Sequence, residues 1–181
     1  MFYTLNNYDI NSKRFSFDLA NMILEYNKPP IFLCVGSNKI VDDSLGALCG
    51  ELLKNYYKID AQVFGDLKCP MINNNLKNVL QKIKLDFNKH CVVVIDSSIG
   101  RLEHLYDISL NYKGLVINCL QNNKIVGDIG ISSVTYLNGI NELLLQKTEK
   151  KKCVFKVANF VASGIYNALK LCKQANLNQA I

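Results

Sequence analysis

Two runs of uninterrupted apolar residues organise the chain: Ile31-Phe32-Leu33-Cys34-Val35, closed by Gly36, and Cys91-Val92-Val93-Val94-Ile95, closed by Asp96. Strands half-exposed to water alternate apolar and polar positions, so runs like these predict strands covered on both faces. Between them, residues 44–57 and 74–85 predict helices, the second with Leu76, Val79, Leu80 and Ile83 on one face. Residues 61–64 predict a further strand. Upstream, residues 14–27 predict a helix with Phe17, Leu19, Ala20, Ile23 and Leu24 inward, stopped by Pro29-Pro30.

Beyond Asp96 the pattern shortens. Residues 105–110, 115–119 and 129–134 predict strands, and residues 138–146 and 153–174 predict helices. The last helix carries Ala158, Ala162, Ser163, Gly164 and Ala168, small enough for close packing against the sheet or against a second copy. With right-handed crossovers, this order predicts an α/β fold. The expected architecture is a three-layer sandwich, a mostly parallel twisted sheet with helices on both faces. Residues 1–13 are polar and aperiodic and predict a flexible N-terminal arm. Residues 14–181 predict a single α/β domain.

Composition narrows the class. Of 181 residues, 49% are hydrophobic and 20% charged, enough to bury a core. No apolar run approaches the roughly 20 residues that cross a bilayer, and the first ten residues lack a signal-peptide pattern. The expectation is a cytoplasmic protein with no membrane partner. Seven scattered cysteines without a Cys-x-x-Cys pair suit reduced, packed thiols. The net charge of +6 owes much to Lys147, Lys150, Lys151 and Lys152, read as a solvated segment between two helices. Without a broad basic stripe, no nucleic-acid partner is expected.

The candidate chemistry lies where the two apolar strands end, since ligands of open α/β sheets bind outside the carboxyl ends of the strands. Asp43 opens the helix after the first strand, and Asp96 ends the other. Two converging carboxylates can divide acid and base work between them or hold a divalent cation. Asp43 alone fits an N-cap equally well. An acid directly after five apolar residues needs a partner, which the backbone N–H groups of residues 97–100 could also provide. His104 is a candidate third group, with a surface histidine as the more ordinary reading. His90 reads as a boundary residue, and Gly127-Asp128 as another acid or a strand connection. Neither a Gly-x-Gly-x-x-Gly turn nor a Gly-x-Ser-x-Gly elbow is present, so no dinucleotide cofactor or hydrolase triad is expected.

The stretches Pro30–Ser37, Asp43–Gly46, Val94–Arg101 and Val126–Ile129 resemble the YyaC-type sporulation proteins, which are regarded as candidate spore proteases. The resemblance runs from about residue 30 to residue 168 in order and spacing. That family is similar in fold to the hydrogenase maturation endopeptidases and the spore germination protease, so the resemblance implies a hydrogenase-maturation-protease-like fold. It also implies functional acids after the first and third strands, at Asp43 and Asp96. Residues 130–138 contain no histidine to match the metal-binding histidine of the endopeptidases, and residues 107–127 lack a Pro- and Gly-rich segment. The expectation is a sporulation-associated peptidase, with Asp43 and Asp96 activating water on a protein or peptide substrate. No cofactor and no metal ligand are expected, and a homo-oligomer is left open. The competing expectation is a non-catalytic sporulation binding or assembly protein on the same fold.

Overall fold

The computed structural model describes residues 1–117, 124–137 and 147–179. Its strands are β1 (Phe2–Tyr3), β2 (Pro30–Cys34), β3 (Val63–Phe64), β4 (Cys91–Gly100), β5 (Ile108–Tyr112), β6 (Leu115–Val116), β7 (Ile125–Val126) and β8 (Ile129–Leu137). Its helices are α1 (Tyr8–Tyr26), α2 (Leu45–Glu51, extended by a wider π turn to Tyr56), α3 (Asn73–Asp86) and α4 (Lys147–Gln179). Six strands form one sheet in the order β1-β5-β8-β4-β2-β3, and β6 pairs with β7 separately. β3, β2, β4 and β8 run parallel, and β5 is antiparallel to β8. The expected mostly parallel sheet with helices on both faces is what forms.

The two apolar runs are continuous because both of their faces are covered. Ile31, Leu33, Val35 and Val94 pack with Leu76 and Ile83 of α3 on one face. Phe32, Cys34, Val93 and Ile95 pack on the other, in a larger cluster with Phe15, Leu19, Leu45 and Phe160 from α1, α2 and α4. Each large side chain fully buried this way gains about 2–3 kcal/mol from leaving water. The small residues of α4 serve the α1 contact: a Cβ on Gly164 would lie 2.4 Å from the Phe15 ring. Of the described cysteines, Cys34, Cys49, Cys91 and Cys172 are packed, unpaired thiols as expected, whereas Cys153 is half-buried and Cys69 is exposed. No helix among the described residues is long and apolar enough to cross a membrane.

Three expectations need correction. Residues 1–13 are not a loose arm. Phe2 and Tyr3 pair with Ser109 and Ile108, the Met1 ammonium donates to the Leu110 carbonyl at 2.8 Å, and α1 already begins at Tyr8. The first turns of α1 are mostly solvent-facing, so they carry no apolar stripe, and Phe15 rather than Phe17 is the buried ring. The lysine-rich run is not a solvated connection either, because residues 147–152 are the first turns of α4. Finally, β4 does not stop at Ile95 but continues to Gly100 along β8. The helix expected at 138–146 and the end of the strand expected at 115–119 lie outside the described residues.

Candidate active site

β2 sits between β3 and β4, so the chain leaves β2 toward one neighbour and returns on the other side through α3. That reversal opens a crevice at the carboxyl ends of β2 and β4. A cleft of about 460 Å³ occupies it, lined by Gly36, Ser37, Asp42, Asp43, Asp96, Ser97 and Ser98 and walled by Ile40, Met71, Ile72, Ile99, Ile117 and Tyr136. Both strand-end acids therefore face one cavity.

Asp43 belongs to a single 3-10 turn, Val41–Asp43, and not to the helix that follows. Ser44 is the residue at the head of α2, its side chain makes no cap bond to the helix, and its hydroxyl donates to the Val41 carbonyl at 2.6 Å. The capping role for Asp43 is thus excluded by geometry. The turn is fixed from four directions. Ser37 N–H donates to the Asp43 carbonyl at 2.7 Å, and Thr135 of β8 donates through its hydroxyl to the Asp42 carbonyl. Lys150 of α4 reaches the Asp42 carboxylate at 3.0 Å. The fourth contact is steric. Gly36 has φ +143°, and a Cβ there would fall 2.3 Å from the Asp43 carbonyl oxygen.

Asp96 stands in β4 opposite Ser132 of β8, and one of its carboxylate oxygens accepts the Ser97 N–H at 2.8 Å. Burial pushes its carboxyl up to about 7; the Asp43 charge adds to the rise and the Ser97 N–H opposes it. Burial also raises Asp43, against the pull of the Ser37 N–H. With Asp96 held protonated up to about 7 beside the Asp43 charge, the cleft pairs one charged with one protonated carboxyl.

The other candidates lie elsewhere. His104 is exposed and bonds to Asp107 at 3.1 Å, outside the cleft. Asp128 is a strand connection: its carboxylate accepts the Val92 N–H at 2.8 Å at the opposite end of β4. His90 lines a larger hollow of about 630 Å³ at that same opposite rim, which touches neither strand-end acid. Among the described residues, no three His, Cys, Asp or Glu side chains gather as a metal site. Sequence reasoning missed Asp42 and Lys150. The Asp42-Asp43 pair was visible, but nothing local revealed that its first member turns inward to meet a lysine 108 residues away.

Fold and cleft together define a doubly wound α/β protein with an acid pair at its switch point. The chain belongs to the family described as Protein of unknown function (DUF1256), whose profile matches residues 3–164. It is 25% identical over 140 residues to a Bacillus subtilis (strain 168) protein described as Uncharacterized protein YyaC, covering 76% of this chain and 68% of that one. The resemblance drawn from four short motifs thus extends over most of the chain. Among solved structures, it is similar to a nickel-iron hydrogenase maturation protease, HycI, from Thermococcus kodakarensis KOD1. That likeness has 14% sequence identity, covers 76% of this chain and 92% of the other, and has a TM-score of 0.45.

Proposed function

We propose that this protein is a sporulation-associated peptidase in which Asp43 and Asp96 divide the acid and base work of hydrolysis. The observation that carries the reading is the placement of both strand-end acids in one cleft, where burial and the neighbouring Asp43 charge raise Asp96 to about 7. Pairs of acids with one member raised in this way can run general acid and general base chemistry together near neutrality. The peptide substrate and the link to sporulation come from the resemblance of the motifs around these acids to YyaC-type proteins.

In this reading the Asp43 carboxylate takes a proton from a water molecule as its oxygen bonds to the peptide carbonyl carbon. Protonated Asp96 gives its proton to the amide nitrogen as the C–N bond breaks. Solvent exchange then moves the proton from Asp43 and restores the one on Asp96. The competing reading, a non-catalytic binding protein, is favoured by the exposed apolar rim of Ile40, Ile72 and Ile99.

Incubating the protein with a mixed peptide library and identifying fragments by mass spectrometry separates the two. Peptidase chemistry requires cleavage by the parent and a drop of about 100-fold or more in Asp43→Asn and Asp96→Asn that fold normally. No cleavage by the parent, or equal cleavage by both variants, overturns the catalytic reading in favour of binding.

A further inference from the structure

β4 has ten residues and its neighbour β2 has five, and the excess lies beside the acids. Pairing with β2 ends at Cys34 opposite Ile95, where the Val35 N–H donates to the Ile95 carbonyl at 2.8 Å. Gly36 then turns the chain away, while β4 runs on from Ser97 to Gly100 with β8 on its other side. Main-chain groups alternate between the two sides of a strand, and the register shift against β8 between Ser98 and Ile99 puts its extra residue, Thr135, on β8, so the groups of Ser97 and Ile99 share the side of Ile95. They face the space into which β2 would have continued. The Ser97 N–H fits this assignment, since it is taken by the Asp96 carboxylate. Among the described residues, no strand pairs with this side of residues 97–100.

The span Ser97–Gly100, unpaired on this side among the described residues, makes a slot about 13 Å long. The slot forms one wall of the cleft that holds Asp43 and Asp96. Exposed sheet edges are ordinarily blocked by charge, proline or a covering element. Ser97, Ser98 and Ile99 bring none of the first two, and Ile99 is 57% exposed beside Ile72 at 44%. The Ser97 hydroxyl, in contrast, is buried in the cleft wall without a described partner. Donors and acceptors repeating at strand spacing are matched by another extended backbone, and apolar neighbours select its side chains.

Resting on the peptidase reading, we infer that the substrate is an extended, apolar peptide segment that adds as a strand against Ser97–Gly100. The Ser97 carbonyl and the Ile99 N–H bind its backbone, and Ile72 and Ile99 receive its alternate side chains. Its scissile bond then lies over the two acids. A folded surface or a compact small molecule cannot make this pattern of bonds.

The test is binding measured apart from cleavage. Fluorescent octapeptides alternating Val, Ile or Phe with Thr, flanked by solubilising lysines, are titrated into the Asp43→Asn protein, and anisotropy is read. Each peptide is then N-methylated at every second residue, in both registers. Strand addition requires binding that falls tenfold or more when one register is methylated and less than twofold in the other. Ile99→Pro, which deletes the edge N–H, should weaken binding by a similar factor, and Ile99→Ser should weaken it by removing the apolar contact alone. No binding by any octapeptide, or equal loss in both methyl registers, overturns strand addition whatever the cleavage assay shows. Register-dependent binding without cleavage by the parent sinks the peptidase reading and leaves the slot.

Discussion

Lys150 closes a 3.0 Å ion pair on Asp42, joining the first turns of α4 to the turn that presents Asp43. Both side chains are largely buried, 18% and 10% exposed, and the second Asp42 oxygen has no described partner. The pair therefore has little solvent to fall back on. Lys150→Met should cost about 3 kcal/mol, because it strands a buried carboxylate. Adding Asp42→Asn to Lys150→Met should recover a large part of that, as urea denaturation of the three proteins will read. Peptide cleavage per folded molecule should also fall in Lys150→Met, since the turn that places Asp43 loses one of its ties.

The stability of the fold should depend on pH through Asp96. Its carboxyl sits near 7 in the folded chain and near the ordinary aspartate value of 3.8 when unfolded. Between these values the folded state binds more protons, so this group's contribution to stability declines as pH rises from about 4 to 7. Below that window it costs nothing, and above it the cost is complete. Asp96→Asn removes the titration. Relative to the parent, the variant should gain stability with rising pH, by an amount on the order of a few kcal/mol at most. Urea midpoints at pH 4.5, 6 and 8 measure the difference. A constant offset at all three would mean that Asp96 is not held protonated.

What the sequence made legible was whatever depended on local pattern. The runs ending at Val35 and Ile95 announced strands buried on both faces, and their ends located Asp43 and Asp96 on one rim. What it hid depended on distant partners. Tyr3 lies under Phe15, with ring centroids 5.2 Å apart, and donates to Asp18 at 2.7 Å, so a polar, aperiodic start becomes an edge strand. Lys150 looked as solvated as Lys151 and Lys152, which are exposed, because nothing near it in sequence is acidic and inward. The extension of β4 through Ser97 and Ser98 was invisible for another reason: the residues are polar, and among the described strands only β8 holds the strand there.

The pH dependence of catalysis follows from the same carboxyl. If protonated Asp96 supplies the leaving-group proton, kcat/KM should fall as pH rises through about 7. The acid limb should track Asp43, whose carboxyl burial lifts above the ordinary aspartate range. A profile flat from pH 6 to 9 would remove Asp96 as the acid.

Gly46 sets how closely α2 approaches β2. A Cβ there would lie 1.9 Å from the Val35 carbonyl oxygen and 2.7 Å from the Val35 carbonyl carbon and nitrogen, backbone atoms that cannot swing aside as a side chain would. Gly46→Ala must push α2 off the strand and shift the turn before it. The expected cost is about 3 kcal/mol or more, with loss of cleavage in whatever fraction still folds. Thermal unfolding and the cleavage assay, run on the same sample, will show whether the two fall together.

Asp128 offers the contrasting case of an acid whose work is structural. Its carboxylate accepts the Val92 N–H at 2.8 Å, its carbonyl accepts Tyr26, Lys113 and Gly114, and its N–H donates to the Val92 carbonyl. All of this lies at the start of β8, a full strand length from Asp43 and Asp96. Asp128→Asn keeps an acceptor oxygen and should cost about 1 kcal/mol or less, whereas Asp128→Ala leaves the Val92 N–H without its partner and should cost about 1–3 kcal/mol. Cleavage per folded molecule should stay at the parent level in both, with the pH limb near 7 unmoved. If instead Asp128→Asn abolished cleavage while Asp96→Asn did not, the chemistry would belong to the other rim of the sheet, and the cleft between β2 and β4 would lose its claim.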